Sequence, residues 1–312
     1  MRGSRKNIIR EIYLRNLAAK ASLRGISLRA LSYQLSEYRL AGRLLPAFAI
    51  NNIGGIMKAY ITLLSTPSYL DGVLALHQSL IETGARYPFY VGVTSNIPPD
   101  VREILFQKKI SIIELNDFSY NEESKAAFSA WGTGHWFYTA AKIRIFGLTE
   151  FKKLVYLDSD TVVLKNIDHL FDRLDGTAAK DSPMVIPDAE HEELNSGVLV
   201  IEPSKEKEEK LISLAKQFPS RADQDLIRML YKNWKNNPEL HLPQEYNIWV
   251  PYVDKYQKSK NVSNDYVVLH FIGSTKPFMR YYERRFSPIG TKEYYEDIYY
   301  QILFRAHKSI KS

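Results

Sequence analysis

The chain has 312 residues, 45% of them apolar and 12% aromatic, enough for one large or two ordinary domains; with no cysteine, disulfides, Cys-based zinc sites and a thiol nucleophile are excluded. The net charge of +7 is uneven: residues 1–56 hold ten Lys/Arg against two Asp/Glu, net +8, which leaves 32 bases and 33 acids, net −1, in residues 57–312. No basic stripe is left in the body, so nucleic acid is not an expected partner.

Residues 1–56 read as a basic amphipathic extension. Ile9, Ile12, Tyr13 and Leu17 recur at helical spacing with Arg5, Arg10 and Arg15 between them, and Leu23, Leu28, Leu31 and Leu35 continue the pattern. Three readings compete: a dispensable extension, a helix lying on an anionic membrane surface, and an Arg-rich targeting leader. No secretory signal peptide is evident, and the longest uncharged apolar stretch, around residues 44–50, is too short to span a bilayer. The expected location is the cytoplasm or the cytoplasmic face of a membrane.

Residues 57–312 read as one domain. Lys58 to Ser65 is a buried strand, Tyr69 to Thr83 has helix spacing, Pro88 to Thr94 is a second strand, Pro98-Pro99 opens a short helix, and Ile110 to Leu115 is a third strand. Strands alternating with helices signal a parallel sheet. Residues 116–134 are irregular, and Phe137 to Phe146 is a helix carrying Lys142 and Arg144. Further on come a helix over Ile167 to Leu174, a short strand at Met184 to Ile186, and a turn into a strand over Asn195 to Glu202. Helices over Glu206 to Phe218 and Ala222 to Trp234, a last strand over Tyr266 to Ile272 and an aromatic-rich helix over Glu293 to His307 complete the pattern.

The most informative stretch is Lys153-Leu-Val-Tyr-Leu-Asp158-Ser-Asp160-Thr-Val-Val-Leu164. A short apolar run without helical spacing is a strand buried on both faces. In an extended chain residues i and i+2 point the same way, so Asp158 and Asp160 would aim at one spot. Two carboxylates that close repel unless a proton or a cation sits between them. Because α/β sheets bind ligands at the carboxyl ends of their strands, a hard divalent cation shared with substrate phosphates is the expected occupant. The competing reading is a strand-end turn with solvated acids. A second Asp-x-Asp, Asp223-Gln-Asp225, falls in a helical stretch where i and i+2 do not face each other.

His270 stands at the end of another apolar strand, followed by Gly273 and Lys276. Two carboxylates plus an imidazole suit Mn2+ better than Mg2+, which prefers all-oxygen shells. Gly273 would let backbone approach a phosphate, and Lys276 would supply a point charge.

These motifs resemble the glycogenin-like and galactinol-synthase-like branch of glycosyltransferase family eight. The likeness is carried, in order, by Ala59-Tyr-Ile-Thr-Leu63 with Tyr69 and Gly72, Lys142, Tyr156 through Asp172, Asn195-Ser196-Gly197, Asp223-Gln224, His241-Leu-Pro243, Tyr246-Asn247 and His270-Phe-Ile-Gly273-x-x-Lys276-Pro277. It implies an α/β fold of the GT-A type, with a single mixed, mostly parallel sheet flanked by helices. It also implies a retaining hexosyltransferase that takes UDP-glucose or UDP-galactose and delivers the sugar to a glycan, polyol or protein acceptor. A metal, Mn2+ or Mg2+, would be held by Asp158, Asp160 and His270. Leu63, Ser65, Thr66 and Tyr69 would hold the uridine, with Ser159 beside the ribose. Lys142, Gly273 and Lys276 would contact the diphosphate, and Asn195, Ser196, Asp223 and Gln224 would line the sugar. Asp223 or Gln224 would be the catalytic group at the reacting face. A homodimer is compatible with this picture.

There are departures from the branch. The acid and two glycines before the Asp-Gln pair are Ser220-Arg221-Ala222 here, no arginine matches near Thr133, and the self-glucosylated tyrosine falls on Asp254, between Tyr252 and Tyr256. Two other readings stand beside the transferase. One is an inactive sugar-binding or membrane-associated protein on the same fold. The other is a haloacid-dehalogenase-type phosphatase with Asp158 as nucleophile and Asp160 as general acid, which would need a further acidic pair downstream.

Overall fold

The structure is a computed structural model that describes residues 57–116, 139–181, 193–258, 265–274, 276–279 and 288–308. The basic extension of residues 1–56, the irregular stretch from residue 117 on, the first two residues of the helix expected from Phe137 and the strand expected at Met184 to Ile186 lie outside the described residues.

Chain order begins with β1 (Lys58–Leu64), α1 (Leu70–Glu82), β2 (Phe89–Val93), α2 (Pro99–Gln107), β3 (Ser111–Glu114), α3 (Lys142–Ile145), β4 (Lys153–Leu157), β5 (Thr161–Val163), β6 (Ala178–Lys180) and β7 (Leu194–Ile201). It continues with α4 (Lys205–Gln217), α5 (Asp223–Leu230), β8 (His241–Leu242), β9 (Ile248–Trp249), α6 (Val253–Lys258), β10 (Val268–His270) and α7 (Lys292–Lys308). The main sheet has seven strands in the order β3-β2-β1-β4-β7-β6-β8. Strands β3, β2, β1 and β4 run parallel, and β7 is antiparallel to both β4 and β6. A second, three-stranded sheet, β5-β10-β9, stands apart from it, with β5, the second half of the aspartate stretch, at its edge.

The central strand explains the site's place. β4 is buried along its whole length, as its apolar run requires. Its parallel neighbour β1 connects onward to β2 on the far side, so the carboxyl ends of β1 and β4, where chain direction diverges, are where an open α/β sheet places its ligand crevice. Leu63, Ser65 and Asp158 all lie at those ends.

α1 buries Val73, Leu76 and Leu80 and receives β5 through a backbone–side-chain bond: Val163 N donates to Ser79 Oγ at 3.0 Å. Gly72 in its first turn is a close approach, because a Cβ there would lie 2.3 Å from the Ser159 carbonyl oxygen. α7 buries one stripe, Tyr295, Tyr299, Ile302, Leu303 and Ala306. The Tyr299 ring meets Phe271 edge-on at 4.9 Å and Tyr300 Oη donates to Pro277 O at 2.6 Å, so the C-terminal helix clamps the segment after β10.

Several elements are shorter than their periodicity predicts. The Ile167 to Leu174 helix is a 3-10 turn, Asp168–Asp172. Its Asp168 carboxylate is drawn into long-range bonds from Tyr60 Oη (2.8 Å) and Arg86 Nε (3.0 Å). The helix over Lys142 ends at Ile145, and at Gly147 a Cβ would meet the Glu208 carboxylate at 2.0 Å. The helix from Asp223 ends at Leu230, with Tyr231 outside helical geometry (ψ 46°). β10 ends at His270, although the next amide, Phe271 N, still donates to Asp160 O (2.9 Å) in the register of β10 on β5.

Candidate active site

Asp158 and Asp160 converge by a different route from the pleat argument. The chain leaves β4 at Leu157 and turns: Thr161 N and Thr161 Oγ1 both donate to Asp158 O, at 3.1 and 2.7 Å. The turn places the two acids between β4 and β5. β10 then lies antiparallel to β5 with His270 opposite Thr161, which carries the imidazole to the same spot across more than a hundred residues of chain. One ligand atom each from Asp158, Asp160 and His270 lies within 4.8 Å of the others. His270 Nε2 stands 3.2 Å from Asp160 Oδ1 and 3.8 Å from Asp158 Oδ2.

The imidazole packs closely against Gly197 of β7. A Cβ at Gly197 would come within 2.6 Å of His270 Cε1, so glycine there is what lets the ring approach. Asn247 holds the ring's other nitrogen, His270 Nδ1 to Oδ1 at 2.8 Å. This matches what a histidine ligand needs, namely one nitrogen fixed by a second group while the other faces the cation. The donor set of two carboxylates and one imidazole fits a divalent first-row cation.

Two lysines neutralise the cluster. Lys276, expected on a loop, is buried; its ammonium is bonded to Asp160 Oδ2 and donates to Phe271 O at 2.9 Å. Burial alone would raise the Asp160 pKa, but His270 and Lys276 beside it outweigh that and hold it below the usual carboxylate range. Lys142 is 3% exposed and bridges Asp158 Oδ1 (3.0 Å), Asp223 Oδ2 (3.1 Å) and Ser196 Oγ (3.1 Å). Burial pulls its pKa down; the two carboxylates more than compensate, so the ammonium is favoured. Its Nζ also sits 4.5 Å from the centre of the Tyr156 ring, whose hydroxyl donates to Asp158 Oδ1 at 2.7 Å. Burial first, and Asp158 second, push the Tyr156 phenol well above its ordinary value.

The Asp223-Gln-Asp225 copy diverges, as helical spacing requires. Asp223, at the first position of α5, faces Lys142 and accepts from Thr139 Oγ1 at 2.7 Å, while Asp225 faces Arg221 and Arg228. Gln224 Oε1 accepts from Ser196 N at 3.0 Å. Thus Lys142, Asp158, Ser196, Asp223 and Gln224 form one connected group with Asp160, His270 and Lys276.

The residues expected around a uridine lie at the same crevice. Leu63 and Ser65 are buried at and just past the end of β1, and Ser65 O accepts from Asn96 Nδ2 at 2.9 Å. Thr66 O accepts from Tyr69 N at 3.0 Å. Tyr69 stands 5.9 Å, ring centre to Nζ, from Lys276, and burial with Asp160 and Asp158 nearby raises its phenol pKa. Ser159 is buried between the two aspartates. Gly273 adopts φ +97°, a left-handed conformation open to glycine. Thr139, Asp181 and Asn247 join the site's network without having been assigned roles from sequence; of these only Asn247 belongs to a motif, and a lone Thr or Asp carries no local signal.

Residues 60–280 match the family model described as glycosyl transferase family 8. The chain is similar to human glycogenin-2, 32% identical over 225 residues that cover 71% of this chain and 43% of that one. It is similar to galactinol synthase 3 of Arabidopsis thaliana, 27% identical over 253 residues, 71% of this chain and 73% of the relative. The chain therefore spans less than half the length of that glycogenin. Among solved structures, the galactosyltransferase LgtC in complex with donor and acceptor sugar analogs superposes with a TM-score of 0.57 at 14% identity, over 80% of this chain and 96% of that one. That likeness bears out the α/β, GT-A type fold.

Proposed function

We propose that this chain, which belongs to glycosyl transferase family 8, is a retaining hexosyltransferase that takes UDP-glucose or UDP-galactose as donor. Residues 57–312 are the transferase domain in this reading, and residues 1–56 an added basic extension. The observation that carries the proposal is the meeting of Asp158, Asp160 and His270 within 4.8 Å at the carboxyl end of the central strands. Those three residues would hold Mn2+, with Mg2+ as the weaker fit to an imidazole. A divalent cation bound there supplies positive charge beside the diphosphate oxygens that gain negative charge as UDP departs.

The chain's own residues provide the rest. Lys276, tied to Asp160, sits where it can neutralise the leaving diphosphate, and the Gly273 turn leaves its backbone uncovered for the same group. Leu63, Ser65, Thr66 and Tyr69 form the uridine end, with Ser159 towards the ribose. Ser196, Asp223 and Gln224 face the sugar. Asp223 has both oxygens engaged, one by Thr139 and one by Lys142, and Gln224 Oε1 is held by the Ser196 amide. A carboxylate so restrained suits electrostatic stabilisation of an oxocarbenium-like centre better than attack on it. The bond from the anomeric carbon to the UDP oxygen breaks with its electron pair leaving on UDP. The acceptor oxygen bonds to the same face, and its proton passes to a departing phosphate oxygen.

The acceptor class is a glycan, polyol or protein hydroxyl, and the location in this reading is the cytoplasm or the cytoplasmic face of a membrane. No helix among the described residues is long and apolar enough to cross a membrane. The test is incubation with UDP-glucose or UDP-galactose, in Mn2+ or in EDTA, with released UDP measured. Slow Mn2+-dependent release that disappears in Asp160→Ala supports the proposal. Release of phosphate from sugar phosphates without UDP would point to a phosphatase, and donor binding with no turnover to an inactive binding protein.

A further inference from the structure

A chain of buried amides runs away from the cation cluster, and its polarity can be worked out link by link. Asp181 is ion-paired with Arg228, and its Oδ1 accepts from Asn195 Nδ2 at 2.7 Å. An ionised carboxylate can only accept, so the Asn195 amide nitrogen is the group that faces it. The other end of Asn195 is fixed independently, because the Gly197 backbone N–H, which can only donate, reaches Asn195 Oδ1 at 2.9 Å. Asn247 must then present its NH2 to that oxygen, 2.7 Å away, and turn its own oxygen to His270 Nδ1 at 2.8 Å. His270 Nδ1 is left no role but donor.

We infer that Asp181, Asn195 and Asn247 form a one-way hydrogen-bond relay that keeps a proton on His270 Nδ1, and that they are positioning residues of the cation site. The inference rests on the reading of Asp158, Asp160 and His270 as a metal centre. With its proton on Nδ1, the imidazole turns Nε2 toward two carboxylates, 3.2 and 3.8 Å away. Those oxygens can accept a proton carried on Nε2 until a cation takes its place, so the relay leaves Nε2 as the ring atom that faces the place a cation would fill. Asn247 is fully buried, and Asn195 and His270 nearly so, which leaves the relay few water molecules with which to exchange partners. Asn195, expected to line the sugar, has its amide committed at both ends and acts through Asn247. Arg228 supports the far end by also donating its Nε to Leu194 O at 2.9 Å.

Two measurements on the full chain decide it. The first is a 15N–1H correlation spectrum with histidine labelling, His270 being assigned by its loss in His270→Gln, recorded in EDTA and in Mg2+. A protonated Nδ1 in both conditions is the expected result, and a proton on Nε2 with a bare Nδ1 overturns the relay. The second is the Mn2+ dissociation constant by calorimetry in two variants. Asn247→Leu removes the acceptor and should weaken Mn2+ about 10–100-fold, whereas Asn247→Asp restores an acceptor for Nδ1–H and should stay within about threefold of wild type. A purely structural Asn247 would make the two variants equally weak, since both lose the bond to Asn195; that result, or unchanged affinity in Asn247→Leu, also overturns it. If Asn247→Leu does not fold, Asn247→Asp and the spectrum still decide. A wild-type chain that takes up no Mn2+ sinks the metal reading instead, while the proton position on His270 continues to judge the relay.

Discussion

Replacing Lys142 by methionine removes one ammonium from between the half-buried Asp158 and the buried Asp223 carboxylates and leaves a chain of similar length against Tyr156. Its Nζ lies 3.0 Å from Asp158 Oδ1 and 3.1 Å from Asp223 Oδ2. At that separation and an effective dielectric near 20, each pair attracts by roughly 5 kcal/mol. Several kcal/mol per ion is lost to desolvation, and breaking a buried pair typically costs about 3–5 kcal/mol. Asp158 retains 27% side-chain exposure, so the low end, about 3 kcal/mol, applies. In a domain of this size that lowers Tm by about 6–12 °C. The Lys142 pKa is raised in the folded state, so its contribution is fully present below the unfolded value of about 10.4 and fades as pH climbs through the folded one. The gap between wild type and Lys142→Met should therefore hold from pH 6 to pH 9, as measured by urea titration or thermal melting. Mn2+ should narrow it by returning positive charge to Asp158. A Tm within about 2 °C of wild type across that range would show that Lys142 is not the hub drawn above.

Gly197→Ala would place a Cβ 2.6 Å from His270 Cε1 and push the ring off β7; Mn2+ affinity measured by calorimetry should fall about tenfold or more, with the fold retained by circular dichroism. Asp168→Ala should destabilise by about 1–3 kcal/mol at pH 7 in urea titration, because it strands the buried Tyr60 hydroxyl and takes the partner from the exposed Arg86. Burial raises the Asp168 pKa, but Arg86 and Tyr60 lower it further, so its contribution exists above the ordinary carboxylate value of about 3.9 and disappears as pH falls below it. The wild-type advantage over Asp168→Ala should accordingly shrink towards pH 3; an advantage that grows on acidification would contradict the hydrogen-bond picture.

Long elements with a clean period were legible. β1, α1, β2, α2, β3 and α7 stand close to where apolar runs and helical spacing put them, because local pattern is enough to mark them. The two-residue strands β8 and β9 carry no period, and they form only because β6 and β10 offer an edge beside them. The aspartate stretch was legible as chemistry and misread as geometry. Asp158 and Asp160 were expected to align on one extended strand, yet the Thr161 bonds to Asp158 O make a turn, and the two acids meet through it. Lys276 shows the opposite case: its charge was legible from sequence, but its burial against Asp160 was not. Nothing in the spacing of Asp181, Asn195 and Asn247 announces that they belong together, since they stand beside β6, on β7 and before β9, in two sheets, and their link is made by side chains. Thr139 escapes for the same reason.

Crystals grown with Mn2+ and UDP, and measured for anomalous scattering at the manganese edge, test the centre of the account most directly. The expected result is a single peak within bonding distance of carboxylate oxygens from Asp158 and Asp160 and of His270 Nε2, with the diphosphate on its open side. A peak bound elsewhere, or a His270 ring turned so that Nε2 faces away from the two aspartates, would contradict it.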